Sequence, residues 1–336
     1  MVTILENLLT SEEPAIRYKA RVYLLDEDPG TPELKYLQHE IKHCERTRTL
    51  LSERGADGKI PHHPYAKWYG AHWVLVMLAD MDYPAGDEEL VPLREQEYAW
   101  LLSAGRLRSI KNNMKAGLTR MCASMEGNAI FALLKLGLAD ERIAILVDRL
   151  LAWQWPDGGW NCDKKPGAHV SSFTETLIPL RGLALYSQLT GNAQARAAST
   201  RAAEFFLKRH LFKRLSDGSV ISNDFLRLRY PCYWHYDILF GLKVMAEAGF
   251  LKDARCREVL DLLASRRLPD GGFPAEKKYY NVTKETSNGR SLVDWGGTNV
   301  KRMNPFVTVD ALHVLKRAFL EGVLPAEDRA VIHLVS

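Results

Sequence analysis

Asp157-Gly158-Gly159-Trp160 decides the fold, because the same turn returns along the chain. It recurs as Asp57-Gly58-Lys59-Ile60, Asp217-Gly218-Ser219-Val220 and Asp270-Gly271-Gly272-Phe273. The gaps imply a unit of roughly fifty residues, with a degenerate copy near Ser109-Ile110. Such a period marks a repeat architecture in which each unit buries its apolar face against its neighbours. In each turn glycine accepts a positive φ, and aspartate bonds its own backbone.

Between the turns the patterning is helical. Ser11-Glu12-Glu13-Pro14 and Thr31-Pro32-Glu33 read as helix starts, with a capping residue, early acids and an early proline. Apolar helices are expected over a first segment ending near Leu25, then Lys67–Met81, Thr119–Leu136, Ser171–Leu189, Tyr233–Glu247 and Pro305–Phe319. More polar helices alternate with them: Thr31–Leu51, Glu88–Ser103, Glu141–Trp153, Ala193–Arg209, Ala254–Ser265 and Ala326–Leu334. A helix that is apolar all round is buried, whereas a polar stripe faces water. Six inner and six outer helices predict an all-α, α6/α6 toroid in one domain spanning residues 1–336. Its one long insertion, Pro274–Asn304, is either a lid or a surface loop.

The 336 residues are 46% hydrophobic and 26% charged, with a formal charge of +4, ordinary for a soluble chain. The basic residues are dispersed, so no nucleic-acid stripe is read. Neither a signal peptide nor an apolar run of membrane-spanning length is read. The five cysteines are widely spaced, which points to a reducing, cytoplasmic setting rather than a disulfide framework.

Leu150-Leu151-Ala152-Trp153-Gln154-Trp155-Pro156-Asp157-Gly158-Gly159-Trp160 resembles the Gln-Trp loop motif of squalene and oxidosqualene cyclases. The stretch Leu262–Phe273 looks like a second copy, and the Gly-Gly-aromatic turn is shared with protein prenyltransferase β subunits. The chain thus resembles the terpenoid-cyclase and prenyltransferase toroid superfamily, above all the compact bacterial proteins known by their prenyltransferase/squalene-oxidase repeats. The resemblance implies the toroid and a central cavity for an isoprenoid-like small molecule. It departs from the family in two places. The Asp-x-Asp-Asp run of class II cyclases is absent from the sequence. In Gly158–Lys165, Cys162 and Asp163 stand in a different order from the prenyltransferase zinc pair, and Trp234-His235-Tyr236-Asp237 is a loose counterpart of the family's Tyr-His pair.

The inner-helix N-termini are expected to converge on one mouth of the toroid, where their free N–H groups favour anions. Polar residues in those first turns are the site candidates. Glu175, His235 and Asp237 are the expected proton carriers, with Cys162 and Asp163 as further catalytic candidates. Tyr233, Trp234, Tyr236 and Trp295 form an expected apolar wall, and Arg120 an anion contact. Trp68, His72, Glu126, His169, Asp294 and Asn304 complete the substrate-binding set. Glu175 has a second reading as the closing residue of a capping box on Ser172. The aromatic stretch 232–237 reads equally well as plain packing. No cofactor is expected, although zinc is weighed with Cys122, Cys162 and Cys232 and with His169 or His235 as a fourth ligand. The expected function is an enzyme that acts by acid/base chemistry on a mostly apolar small molecule, its expected partner; a non-catalytic ligand-binding or scaffold toroid and a carbohydrate lyase or hydrolase are the rivals.

Overall fold

The computed structural model describes residues 3–115 and 117–324. Among them are fourteen α-helices and four two-residue strands, so the chain is all-α. No helix among the described residues is long and apolar enough to cross a membrane. The expected last outer helix, Ala326–Leu334, lies outside the described residues.

The Asp-Gly turns share one closure. Gly55, Trp155, Arg214 and Leu268 each donate their N–H across the turn, to Lys59, Gly159, Ser219 and Gly272, at 2.8 Å. The turn glycines Gly58, Gly158, Gly218 and Gly271 all have φ between 69° and 97°, the left-handed region glycine enters without cost. Asp57, Asp217 and Asp270 accept from the N–H two residues on. Asp157 instead accepts from the Ser171 N–H at 2.8 Å. The second glycine permits a close approach: a Cβ on Gly159 would lie 2.4 Å from Thr176 Oγ1. That hydroxyl accepts the Trp160 N–H, as Thr308 Oγ1 accepts that of Phe273. Each Gly-Gly-aromatic turn is therefore docked on the helix that follows it. The degenerate copy expected near Ser109 is not a turn but part of a helix.

The helices in chain order are α1 (Ile4–Leu9), α2 (Pro14–Lys19, extended by a π-helical turn, Ala20–Leu24), α3 (Pro32–His43), α4 (Glu45–Leu50), α5 (Ala71–Asp80) and α6 (Val91–Leu101). They continue as α7 (Ala104–Asn112), α8 (Ala123–Lys135), α9 (Ile143–Trp153), α10 (Phe173–Thr190), α11 (Ala193–Leu207), α12 (Ile238–Glu247), α13 (Arg257–Ala264) and α14 (Pro305–Leu320). The helix expected over Thr31–Leu51 is broken at Cys44, whose extended backbone starts α4 and whose sulfur accepts from the Thr47 N–H. At α2 the cap is Glu13, accepting from Ala15 N–H, rather than Ser11.

The apolar helices pack in succession: α5 on α8, α8 on α10, α10 on α12, α12 on α14, and α14 back on α2. Five of the six carry a less buried partner, in the pairs α2–α3, α5–α6, α8–α9, α10–α11 and α12–α13. The α8–α10 contact is backbone-close. A Cβ on Gly127 would lie 2.7 Å from Pro179 N, and one on Gly182 2.7 Å from Gly127 O.

The long segment 274–304 is ordered against the N-terminal ends of these helices. Trp68 donates its N–H to Arg290 O at 2.7 Å and its indole N–H to Tyr279 O at 2.8 Å. Strands β1 (Asn281–Val282) and β2 (Arg290–Ser291) pair in parallel, and Tyr280, Arg290, Val293 and Trp295 are buried. A second short pair, Met114–Lys115 with Leu118–Thr119, is antiparallel.

Candidate functional site

The cavity between the apolar helices opens at their C-terminal ends, not at the expected N-terminal mouth. It has a volume of about 230 Å³. Lys19 of α2, Asp80 at the end of α5, Lys135 at the end of α8, Arg181 of α10, Lys243 and Glu247 of α12, and Asp310 of α14 line it. Asp82, Tyr23 and His313 complete the rim. Each apolar helix thus carries at least one ionisable side chain into an otherwise apolar interior.

The charges are paired across helices. Lys243 Nζ lies 3.0 Å from Asp80 and 2.8 Å from Asp310. Lys19 is 3.5 Å from Asp310, and Arg181 is 3.5 Å from Asp80 and 2.6 Å from Glu247. At the rim Asp82 takes Lys135 at 2.9 Å and the Tyr23 hydroxyl at 2.7 Å. Burial alone would lower the Lys243 pKa and raise that of Asp80. Their partners reverse both: Asp310 and Asp80 hold the lysine above its ordinary range, and Lys243, Lys19 and Arg181 hold the aspartate well below its own. His313 stacks on Tyr23, and its burial lowers its pKa to about 4, so it is neutral near pH 7.

A smaller pocket of about 40 Å³ continues the cavity toward the helix N-termini and shares Asp80, Arg181, Lys243 and Asp310 with it. Asn128 Nδ2 and the Tyr230 hydroxyl, both on its wall, are buried without a hydrogen-bond partner among the described residues. Among the described residues Asp82 Oδ2 makes no hydrogen bond and has only the Lys19 ammonium, at 4.0 Å, as its ion-pair partner. Such groups are costly unless something satisfies them. A wider surface cleft of about 520 Å³ borders Val170–Thr174 and Arg209–Phe225, but it lacks this convergence of buried charge.

The sequence candidates are distributed differently. Tyr233, Trp234, His235 and Tyr236 precede α12 rather than opening it, and Tyr233 has φ 54°. Tyr233 stacks on Trp68 at 4.0 Å, and His235 lies between Trp234 and Tyr279 at 3.9 and 3.3 Å. These rings close the N-terminal mouth together with segment 274–304. Burial lowers His235 to about 3, which keeps it neutral. Tyr236 is packed among Phe173, Phe206 and Phe225 and donates to Leu211 O at 2.6 Å. Asp237 caps α12 through the Phe240 N–H and accepts the Arg229 N–H; burial raises its pKa to about 6. Cys232 Sγ lies 3.6 Å from Asp237, so Cys232 and His235 are held in contacts away from Cys162.

Several other candidates hold the framework. Arg120 donates to Asp163 O, Pro166 O and Ala168 O, fixing the loop that carries Cys162. Glu126 is paired by Arg106 at 2.7 Å. His72 Nδ1 meets Glu97 at 2.7 Å in full burial. Asn304 caps α14 and donates to the carbonyl of buried Trp295. Asp294 accepts from the Gly296 N–H in an exposed turn, and His169 is exposed.

Glu175 and Cys162 do come together, with Cys122 as their third member. Ser172 caps α10 through the Glu175 N–H. The Glu175 carboxylate does not close a box on Ser172; it reaches α8 and accepts the Ser124 N–H at 2.9 Å. Its other oxygen faces Cys162 Sγ at 3.6 Å.

No family model matches the chain, and no curated protein matches it. A solved structure described as the crystal structure of a protein from Actinoplanes is similar at 17% identity over 91% of this chain and 90% of that one, with a TM-score of 0.41. At that score the likeness carries no argument about fold or activity.

Proposed function

We propose that the alternating helices form an α/α toroid of the terpenoid-cyclase and prenyltransferase kind, and that its central cavity binds a small polar molecule carrying charge of both signs. One observation carries this reading: each of the six apolar helices contributes a charged side chain to one cavity. The return contact of α14 on α2 supports closure of the ring. The cavity is smaller than the ~300–1,000 Å³ typical of drug-sized sites, which favours a compact ligand. An isoprenoid chain fits it poorly, because apolar atoms against these charges would strip them of water without replacing its hydrogen bonds. A zwitterion instead meets a carboxylate and an ammonium or guanidinium within one contact shell, and can satisfy Asn128, Tyr230 and Asp82. At the rim, burial and then Asp82 hold the Tyr23 phenol well above its ordinary range, so it stays protonated and donates to Asp82.

The test is a thermal-shift screen with small zwitterions, such as amino acids and betaines, preceded by native mass spectrometry for a co-purified small molecule. Ala248 lines the cavity without contributing charge. An Ala248→Phe variant should abolish the ligand-induced shift while leaving the unliganded melting temperature nearly unchanged. A ligand that stabilises both proteins equally would place binding elsewhere and refute the reading.

A further inference from the structure

Two thiols and a carboxylate meet at the other end of the apolar helices, away from the charged cavity. Cys122 precedes α8, Cys162 lies in the loop after the Gly159-Trp160 turn, and Glu175 stands in the first turn of α10. One potential donor atom from each lies within 4.8 Å of the other two. All the cysteines among the described residues are free thiols. The arrangement is built by the neighbouring backbone. Cys122 occupies the cap position of α8 but makes no capping bond there; the Glu175 carboxylate of α10 accepts the Ser124 N–H in its place. This leaves the Cys122 sulfur out of the helix cap, beside Cys162, and turns the remaining Glu175 oxygen toward Cys162, 3.6 Å away. Arg120 pins the Cys162 loop through three carbonyls.

We propose that Cys122, Cys162 and Glu175 form a binding site for a single zinc ion, independent of the cavity and its ligand. Two sulfurs and one oxygen are a soft-to-borderline donor set, which suits zinc and excludes magnesium and calcium, whose sites are built from oxygen. At a Zn–S distance of ~2.3 Å, tetrahedral sulfurs are about 3.8 Å apart. The three atoms therefore need shifts of about 1 Å or less. On binding, two Zn–S bonds form, the two thiol protons leave to solvent, and the carboxylate adds one Zn–O bond. Three protein ligands leave the fourth tetrahedral position for water or a small donor, as in catalytic rather than structural zinc sites. Both cysteines are partly exposed, so that position is reachable. The charge of two thiolates and a carboxylate exceeds that of the ion, and the neighbouring Arg106–Glu126 pair places a guanidinium nearby.

The test uses the full chain, reduced and stripped with chelator, titrated with Co²⁺ and then Zn²⁺. One equivalent of Co²⁺ should give thiolate-to-cobalt charge-transfer absorption together with tetrahedral ligand-field bands, and Zn²⁺ should displace it. Cys122→Ser and Cys162→Ser should each lose the charge-transfer intensity of one sulfur, and the double variant all of it. Glu175→Gln should weaken binding by at least the roughly 10–100-fold that loss of an outer-shell partner costs. Cys232→Ser should leave the spectrum unchanged. A reduced chain that shows no charge transfer, or a band that survives the double variant, overturns the site. Should a serine variant fail to fold, the unmodified chain still decides: zinc must protect Cys122 and Cys162 from alkylation while Cys44 stays reactive. Equal labelling of all three overturns the site as well.

Discussion

Lys243 is the cation on which the cavity's carboxylates depend most. It is buried between Asp80 and Asp310 at 3.0 and 2.8 Å, so Lys243→Met keeps the length of the side chain and removes only its charge and donors. Losing one partner of a buried ion pair costs about 3–5 kcal/mol, because the surviving charge is left uncompensated. Lys19 and Arg181 remain 3.5 Å from the same carboxylates, which places the expected cost near the lower end, about 3 kcal/mol. With ~2.1 cal/mol/K of unfolding entropy per residue over 336 residues, the whole chain carries about 0.7 kcal/mol/K. The melting temperature should then fall by about 4 °C. Neutralising all three positions, as Lys243→Met with Asp80→Asn and Asp310→Asn, should recover part of that loss, since Arg181 keeps Glu247 at 2.6 Å and Lys19 keeps Asp82 at 4.0 Å. Chemical and thermal unfolding of the single and triple variants provide the assay. A single variant as stable as the parent, or a triple variant no better than the single one, would refute the claim that these charges are a cost carried for binding.

Acid sensitivity should trace partly to His313. Its folded pKa of about 4 lies below the ordinary 6.5, so the unfolded chain takes up the proton first as pH falls. Stability is lost between pH 6.5 and 4, by about 3 kcal/mol in all. His313→Phe keeps the ring on Tyr23, and its stability-versus-pH curve should be shallower by that amount in unfolding titrations; Asp237, raised to about 6, acts oppositely in both proteins and cancels in the difference. Gly127→Ala should cost about 3 kcal/mol, since its Cβ would meet backbone atoms of α10 at 2.7 Å and overpacking there cannot relax. Gly105→Ala on exposed α7 meets nothing nearer than 3.8 Å and should stabilise by about 0.5–1 kcal/mol, so denaturant midpoints of the two variants should move in opposite directions.

The helices were legible because their signals are local. Proline and threonine at helix starts, glycine at positive φ, and an apolar run such as Ala71–Ala79, buried throughout, each act within a few residues. The functional reading rested on a weaker premise, that polar residues near helix N-termini are the exposed ones. Asn304, Asp237 and Ser172 sit there because caps are needed there, and their side chains are consumed by that duty. The cavity residues were written in the sequence in another form: a lone charge inside an apolar helix, as with Lys19, Arg181, Lys243 and Asp310. A charge so placed is stable only with a partner, but the partner comes from another helix and sequence spacing does not reveal it. Cys122 and Cys162 were read together from the sequence, but Glu175 as their companion, in place of Cys232 and a histidine, was hidden for the same reason, since it depends on how α10 leans on α8. The break at Cys44 and the extra helix α7 lie where propensity is even and tertiary packing decides.

The cavity sets four cations, Lys19, Lys135, Arg181 and Lys243, against four carboxylates, Asp80, Asp82, Glu247 and Asp310. At short range this is a strong field, but a few ångströms outside the rim the opposing signs cancel. A molecule in solution would therefore feel no long-range pull toward the entrance, and its capture rate should vary little with ionic strength. Discrimination would begin only after entry, and it would show in how long a molecule stays rather than in how fast it arrives.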